Sequence, residues 1–543
     1  MVFARRSTTL LAAIIASCAM VLSLTACTSD NKTVVDGQTT VTSNSAGGVA
    51  VFTPSDGITL NQQMPLNKWA KLVPDLTKAL VDAGFKKGDI NHTTSDSLDK
   101  QSRAIQDFVV DHLSNNTTDD SGIAIAPDNM TLLVAPVVEA DASTRQYGDY
   151  VSQNLSTNDV TDEGATSDGE SSEDDSSKDD SSNTESDSTA SDEQAQAVDR
   201  LVSSLKLAKE SGMHVVLLGN SIEGYKPDAF VKFSDAQTIS KLQAEKMVSK
   251  LKLDKASKDN PKYIEVLLPY TAVDEKGNAN DSTFAQEAFR GIWQVLGSYY
   301  QKGVVESPSG TLDGKSTEND WQAVAYDAAK EGSTAKVLDK RLAKTDGQST
   351  LTRIDGIITM NDYIASEVVK ELDDLGYTGS AADINPQITI SGIVGNITGK
   401  KDLSRDAVPD PIKSPENDNA NDSSSSDDDA DEDTSASDKD RDSQWPLVTG
   451  YGAYVSNIPS IVNGKQWMTG MEDRQTIATD IAQACAKLNK DEALNSMPSI
   501  RNSEVGGVKK IPTISEPLLA VSASNLKSAL IDPGYISLAD AGL

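Results

Sequence analysis

From residue 49 onward, short apolar runs alternate with longer amphipathic stretches. Residues 214–218 (His-Val-Val-Leu-Leu) are an unbroken apolar run closed by Gly219-Asn220. That is the pattern of a parallel strand buried on both faces. Runs at 49–54, 130–138, 230–233, 263–268, 354–359, 388–394 and 446–451 predict further strands, the place of 388–394 in the fold being undefined. Periodic stretches at 67–83, 97–113, 195–211, 283–301, 320–342, 362–375 and 474–488 predict helices. Another helix follows residue 233, where Ser234 or Asp235 can cap it, and Ile239, Leu242, Met247 and Leu251 lie roughly on one face. Strand and helix in alternation, with short connections, predict two doubly wound parallel units with right-handed crossovers. Ligands of such sheets bind at the C-terminal ends of the strands.

Two stretches break this pattern. Residues 156–194 carry fourteen acids against Lys178, and residues 402–442 fifteen acids against four bases. They account for −24 of the formal net charge of −33. Rich in Ser, Asp and Asn and poor in large apolar side chains, they cannot offset their ordering entropy, so two disordered acidic inserts are expected. Neither keeps the spacing of a calcium-binding loop. A chain this acidic offers no basic face, which excludes nucleic acid as a partner.

At the N-terminus, Arg5-Arg6 precedes an apolar run over residues 10–24, a signal-peptide pattern for residues 1–26. Leu24-Thr25-Ala26-Cys27 reads as a lipidation box, which makes Cys27 the acceptor of a lipid anchor to the membrane. Residues 27–48 read as a flexible tether. Beyond Cys18 and Cys27 only Cys485 remains, so no disulfide framework exists, and His92, His112 and His214 show no metal-ligand spacing. There is no Ser-His-Asp order and no Walker loop; Gly450-Tyr451-Gly452 alone is too weak a phosphate signal. The residues give no catalytic constellation, no metal site and no cofactor.

In order along the chain stand Val215–Leu218, Gly219-Asn220, Phe233-Ser234-Asp235 and Leu242-Gln243, then Asn361-Asp362 after a strand. The closing order is Gly507-Val508-Lys509-Lys510-Ile511-Pro512-Thr513, Glu516-Pro517 and Pro533-Gly534-Tyr535. This order, over about 49–535, resembles the type I periplasmic sugar-binding proteins, closest to their xylose and multiple-sugar branch. The resemblance implies two Rossmann-like lobes with parallel sheets joined by a three-segment hinge. Lobe one would comprise 49–233 and 454–512, lobe two 234–453 and 513–543. It also implies an extracytoplasmic solute-binding lipoprotein of an ABC importer, with a small carbohydrate-like ligand and a permease as partners.

By the same resemblance the ligand contacts would be Lys68 and Trp69 at the first helix, Asn220, Asp281, Trp321, Asn361 and Asp362, with Tyr451 filling space. Three charged contacts of the family are absent: its Asp-Arg pair is Gly219-Asn220 here, its hinge acid is Gly452, and its lysine is Glu472. Those departures leave a second expectation open, a sensory or interaction lipoprotein that kept the fold and lost sugar binding.

Overall fold

The computed structural model describes residues 46–56, 65–115, 129–138, 144–156, 185–273, 280–328, 330–343, 350–381 and 444–543. The signal pattern, Cys27, most of the first acidic stretch, all of the second and the strand expected at 388–394 lie outside these residues.

Lobe one follows the chain as β1 (Gly48–Pro54), α1 (Trp69–Asp82), β2 (Ile90–Ser95), α2 (Leu98–Asn115), β3 (Met130–Val134), α3 (Glu185–Glu210), β4 (His214–Leu218) and β5 (Ala229–Lys232). Lobe two follows as α4 (Ala236–Leu251), β6 (Lys262–Val266), α5 (Thr283–Gln301), β7 (Val305–Glu306), α6 (Ser333–Arg341), β8 (Gly356–Ile358), α7 (Asp362–Leu375) and β9 (Leu447–Val448). The remainder is β10 (Met468–Met471), α8 (Arg474–Leu488), β11 (Ile500–Val505), β12 (Val508–Ser515) and β13 (Leu519–Ser522).

The lobe-one sheet runs β11-β12-β5-β4-β3-β1-β2, parallel throughout except for the β11–β12 hairpin. Its apolar runs are continuous because both faces are covered. Val49, Val51, Leu133, Val216 and Leu218 point to one core, with Leu72 and Leu76 of α1 and Ile477 and Ile481 of α8. Ala50, Phe52, Leu132, Val134, Val215 and Leu217 point to the other, with Ile105 of α2 and Leu201 and Leu205 of α3. The lobe-two sheet runs β7-β6-β8-β9, all parallel.

Three crossings join the lobes: at Ser234, between β10 and α8, and between β12 and β13. β10 and β13 pair antiparallel across the hinge. The resemblance implied that lobe one closes at residue 512, but Thr513, Ile514 and Ser515 still pair with Phe230, Val231 and Lys232 of β5. It also implied that lobe one reopens at residue 454. Ile458 and Ile461 instead pack in a separate hinge core with Leu66, Met471, Val521 and Leu530, and α8 is the first helix returned to lobe one.

Two helices differ from the periodicity. α3 begins at Glu185, ten residues before the expected 195 and inside the acidic stretch; the Ala, Glu and Gln residues at 190–197 have high helix propensity. The helix expected over 320–342 is three pieces. Trp321–Val324 is a single turn, Ala325 and Tyr326 extend to pair with Leu268 and Pro269, and α6 starts only after Gly332 at φ +70°. Asp235, not Ser234, caps α4 by accepting from Thr238 N at 2.7 Å.

Candidate functional site

Asn220, just past the C-terminal end of β4, and Asn361 and Tyr451, just past those of β8 and β9, all meet one stretch of chain. That segment, residues 144–155, leaves lobe one and returns to it. It begins as a single turn, Thr144–Tyr147, and ends where Asn154 and Leu155 pair with Ser221 and Ile222 beyond β4.

Most of the expected ligand contacts meet this segment. Lys68 Nζ forms an ion pair with Asp149 Oδ1 at 2.8 Å, and the two side chains are 13% and 18% exposed. Trp69 N donates to Asp149 Oδ2 at 3.1 Å, and Tyr150 Oη donates to Lys68 O. The Trp69 ring meets Tyr150 and Phe233 edge-on at 5.1 and 5.7 Å, and Tyr150 stacks on Phe233 at 4.8 Å. Trp69 is 3% exposed and belongs to the lobe-one core; no face of it is open for a sugar ring. Asn220 Oδ1 accepts from Gln153 N at 3.0 Å while its Nδ2 donates to Pro136 O at 2.9 Å.

From lobe two, Asn361 caps α7 by accepting from Ile364 N at 2.9 Å. Its Nδ2 donates to Gln146 Oε1 at 3.1 Å, so one side chain serves both as cap and as cleft contact. Tyr454 Oη donates to Gln146 O at 2.7 Å. The Tyr147 ring lies 4.8 Å from Phe284 and 6.3 Å from Tyr451. Tyr147 and Val151 are thereby part of the lobe-two core, whereas Tyr150 belongs to that of lobe one.

Asp362 is turned away from the cleft. Fully buried in the hinge, it accepts from Gln466 Nε2 (2.7 Å), Tyr454 N (2.9 Å) and Thr469 Oγ1 (2.9 Å). A side chain at Gly450 would be excluded here, since its Cβ would sit 2.1 Å from Asp362 Oδ1. Burial raises the Asp362 carboxyl to about 6 despite these donors. Asp281 is exposed and accepts from Thr283 N and Oγ1 at the start of α5. Trp321 packs edge-on against Tyr270 at 5.1 Å. It lines a separate recess of about 310 Å³ with Thr271, Val273, Tyr326 and Asp327.

The sequence reading missed both the segment and the hinge staple. Glu472, read as the position of an absent lysine, is 2% exposed. It accepts from Ser234 N at 2.6 Å, and Tyr451 Oη lies 3.5 Å away. Ser234 Oγ and Tyr451 Oη are 2.5 Å apart. Two crossings are thus tied through one carboxylate, which burial raises to about 7. Asp56, beside Asp149, is likewise raised to about 6, chiefly by burial and by the neighbouring carboxylate. The cluster Tyr147-Gly148-Asp149-Tyr150, two aromatics and an acid in a stretch to which no element was assigned, was the available signal.

No family model and no curated protein matches the chain. Among solved structures it is similar to a solute-binding protein from Clostridium phytofermentans with bound β-D-glucose. The identity is 17% and the TM-score 0.45, over 91% of this chain and 99% of that one. A carbohydrate transporter solute-binding protein from Chloroflexus aurantiacus in complex with D-glucose gives 17% identity and a TM-score of 0.43, over 92% and 98%. A sugar ABC transporter protein from Actinomyces odontolyticus gives 11% and 0.43, over 89% and 97%.

Proposed function

We propose that the chain is an extracytoplasmic solute-binding lipoprotein of an ABC importer, anchored through Cys27 and closing two lobes on a small carbohydrate-like ligand. One observation carries the reading. Lys68 and Asn220 from lobe one, and Asn361 and Tyr451 from lobe two, converge on a single cleft at the C-terminal ends of two parallel sheets. Charged and amide groups beside aromatic rings are what sugar hydroxyls and ring faces use. Asn67 Nδ2, buried there without a hydrogen-bond partner, adds capacity for ligand hydroxyls. A ligand touching both lobes favours the closed form, and the permease reads that form. The Leu24–Cys27 box supports the anchor, since two acyl chains give stable membrane attachment.

A thermal-shift screen of mono- and oligosaccharides on the full chain tests the binding. A ligand at a hundred times its Kd stabilises by about 2.7 kcal/mol; a flat response across the panel contradicts the proposal. Cys27→Ser is expected to release the protein from membranes, and equal retention contradicts the anchor.

The self-occupied cleft favours a second reading, an interaction or sensory lipoprotein that binds no sugar. Each of the four side chains above is engaged by residues 146–153, and the charged positions of the family are Gly219, Gly452 and Glu472. The same screen separates the two.

A further inference from the structure

The geometry points to residues 144–153 acting as a built-in ligand. They hold the two lobes together without solute and must leave before solute enters, an inference that rests on reading the cleft as a solute site. The segment meets both lobes through groups that would otherwise face a ligand. Asp149 takes the Lys68 ammonium and the Trp69 amide. The Gln146 carboxamide takes the Asn361 amide, and its backbone carbonyl takes the Tyr454 hydroxyl. Tyr147 inserts a ring between Phe284 and Tyr451.

Its local structure suits departure. Between the turn Thr144–Tyr147 and the two-residue pairing at Asn154 it belongs to no sheet, so releasing it breaks no ladder of either lobe. Tyr147 and Val151 reach into the lobe-two core although Tyr150, between them in the chain, packs in that of lobe one. Separating the lobes therefore pulls these side chains out of lobe two.

Such a segment sets a conformational cost on solute binding. A solute that needs the vacated cleft binds with its intrinsic affinity reduced by the fraction of molecules in which the segment is out. Weakening one anchor raises that fraction without touching a solute contact.

The test is a distance measurement between spin labels on the full chain, attached at Lys78→Cys on the exposed face of α1 and Lys340→Cys on α6. Cys485 is fully buried and escapes labelling, and Cys18 and Cys27 are replaced by Ser in every labelled protein. The unliganded parent is expected to give one short, narrow distribution. Tyr147→Ala and, separately, Asp149→Ala are expected to give a longer, broader one. A parent already broad, or two variants with the parent distribution, overturns the inference. Asp149→Ala decides the matter if Tyr147→Ala does not fold, since it removes only the partly exposed ion pair to Lys68 and the bond from Trp69 N, and no core side chain. Titrating the best sugar from the screen then isolates the transport reading. At least tenfold tighter binding in the opened variants supports both. Opening with no sugar bound by any variant supports the segment's role as a lock and rejects the solute.

Discussion

The two lobes grip residues 144–155 by different means. Lobe one holds them with an ion pair, a three-ring aromatic cluster and backbone pairing at Asn154 and Leu155. Lobe two holds them with one inserted ring, Val151 and two hydrogen bonds at Gln146. The lobe-one side is continuous with that lobe's core and the lobe-two side is a plug in a socket. On opening, then, the segment withdraws from lobe two first and leaves the lobe-one side of the cleft afterwards.

This asymmetry is most exposed by Tyr150→Ala. Tyr150 is 1% exposed and stacked on Phe233, so truncation is expected to cost about 4 kcal/mol of folding stability, read as a lower denaturation midpoint. A loss under about 1 kcal/mol would place the aromatic cluster outside the lobe-one core.

A smaller effect comes from pH. Glu472 is raised from 4.5 to about 7 and Asp362 from 3.8 to about 6. Both folded values lie above the unfolded ones. Their contribution is therefore complete below about pH 4 and is lost as pH rises through 6 and 7. Stability is expected to fall by about 2 kcal/mol between pH 5.5 and 7.5. Glu472→Gln should flatten most of that slope, and an unchanged slope in the variant would assign it to other groups.

Asn361→Ala removes a helix cap and a lobe-two anchor together, each worth about 1 kcal/mol. It is expected to lower stability by about 2 kcal/mol and to broaden the distance between the lobes; stability loss without broadening would leave Asn361 as a cap alone. Asp281→Ala, at an exposed carboxylate, is expected to cost under about 1 kcal/mol and to leave the lobe distance unchanged.

The strands of lobe one were legible because burial on both faces writes itself into unbroken runs such as 214–218. Helices α5, α7 and α8 kept the bounds expected from their periodicity. The helix over 320–342 failed where Ala325 and Tyr326 trade helical bonds for pairing with Leu268 and Pro269, partners more than fifty residues away that no local pattern encodes. The cleft was half legible. Resemblance brought Lys68, Trp69, Asn220, Asn361 and Tyr451 to one place. It said nothing of what they touch, because Gln146, Tyr147, Asp149 and Tyr150 lie in a stretch with no periodicity. Glu472 was read as a missing lysine when its carboxylate is the staple of the hinge, a role set by Ser234 and Tyr451 at distant positions in the chain.

Amide hydrogen exchange within the segment tests the central claim most directly. Asp149 N–H donates to Asn67 O at 2.8 Å, Ser152 N–H to Ser234 O at 3.2 Å and Gln153 N–H to Asn220 Oδ1 at 3.0 Å. If residues 144–153 fill the cleft, these three amides exchange roughly a hundredfold or more slower than in an unstructured peptide, and Tyr147→Ala speeds Ser152 more than Asp149. Exchange of all three at the unstructured rate in the unliganded parent would contradict the account.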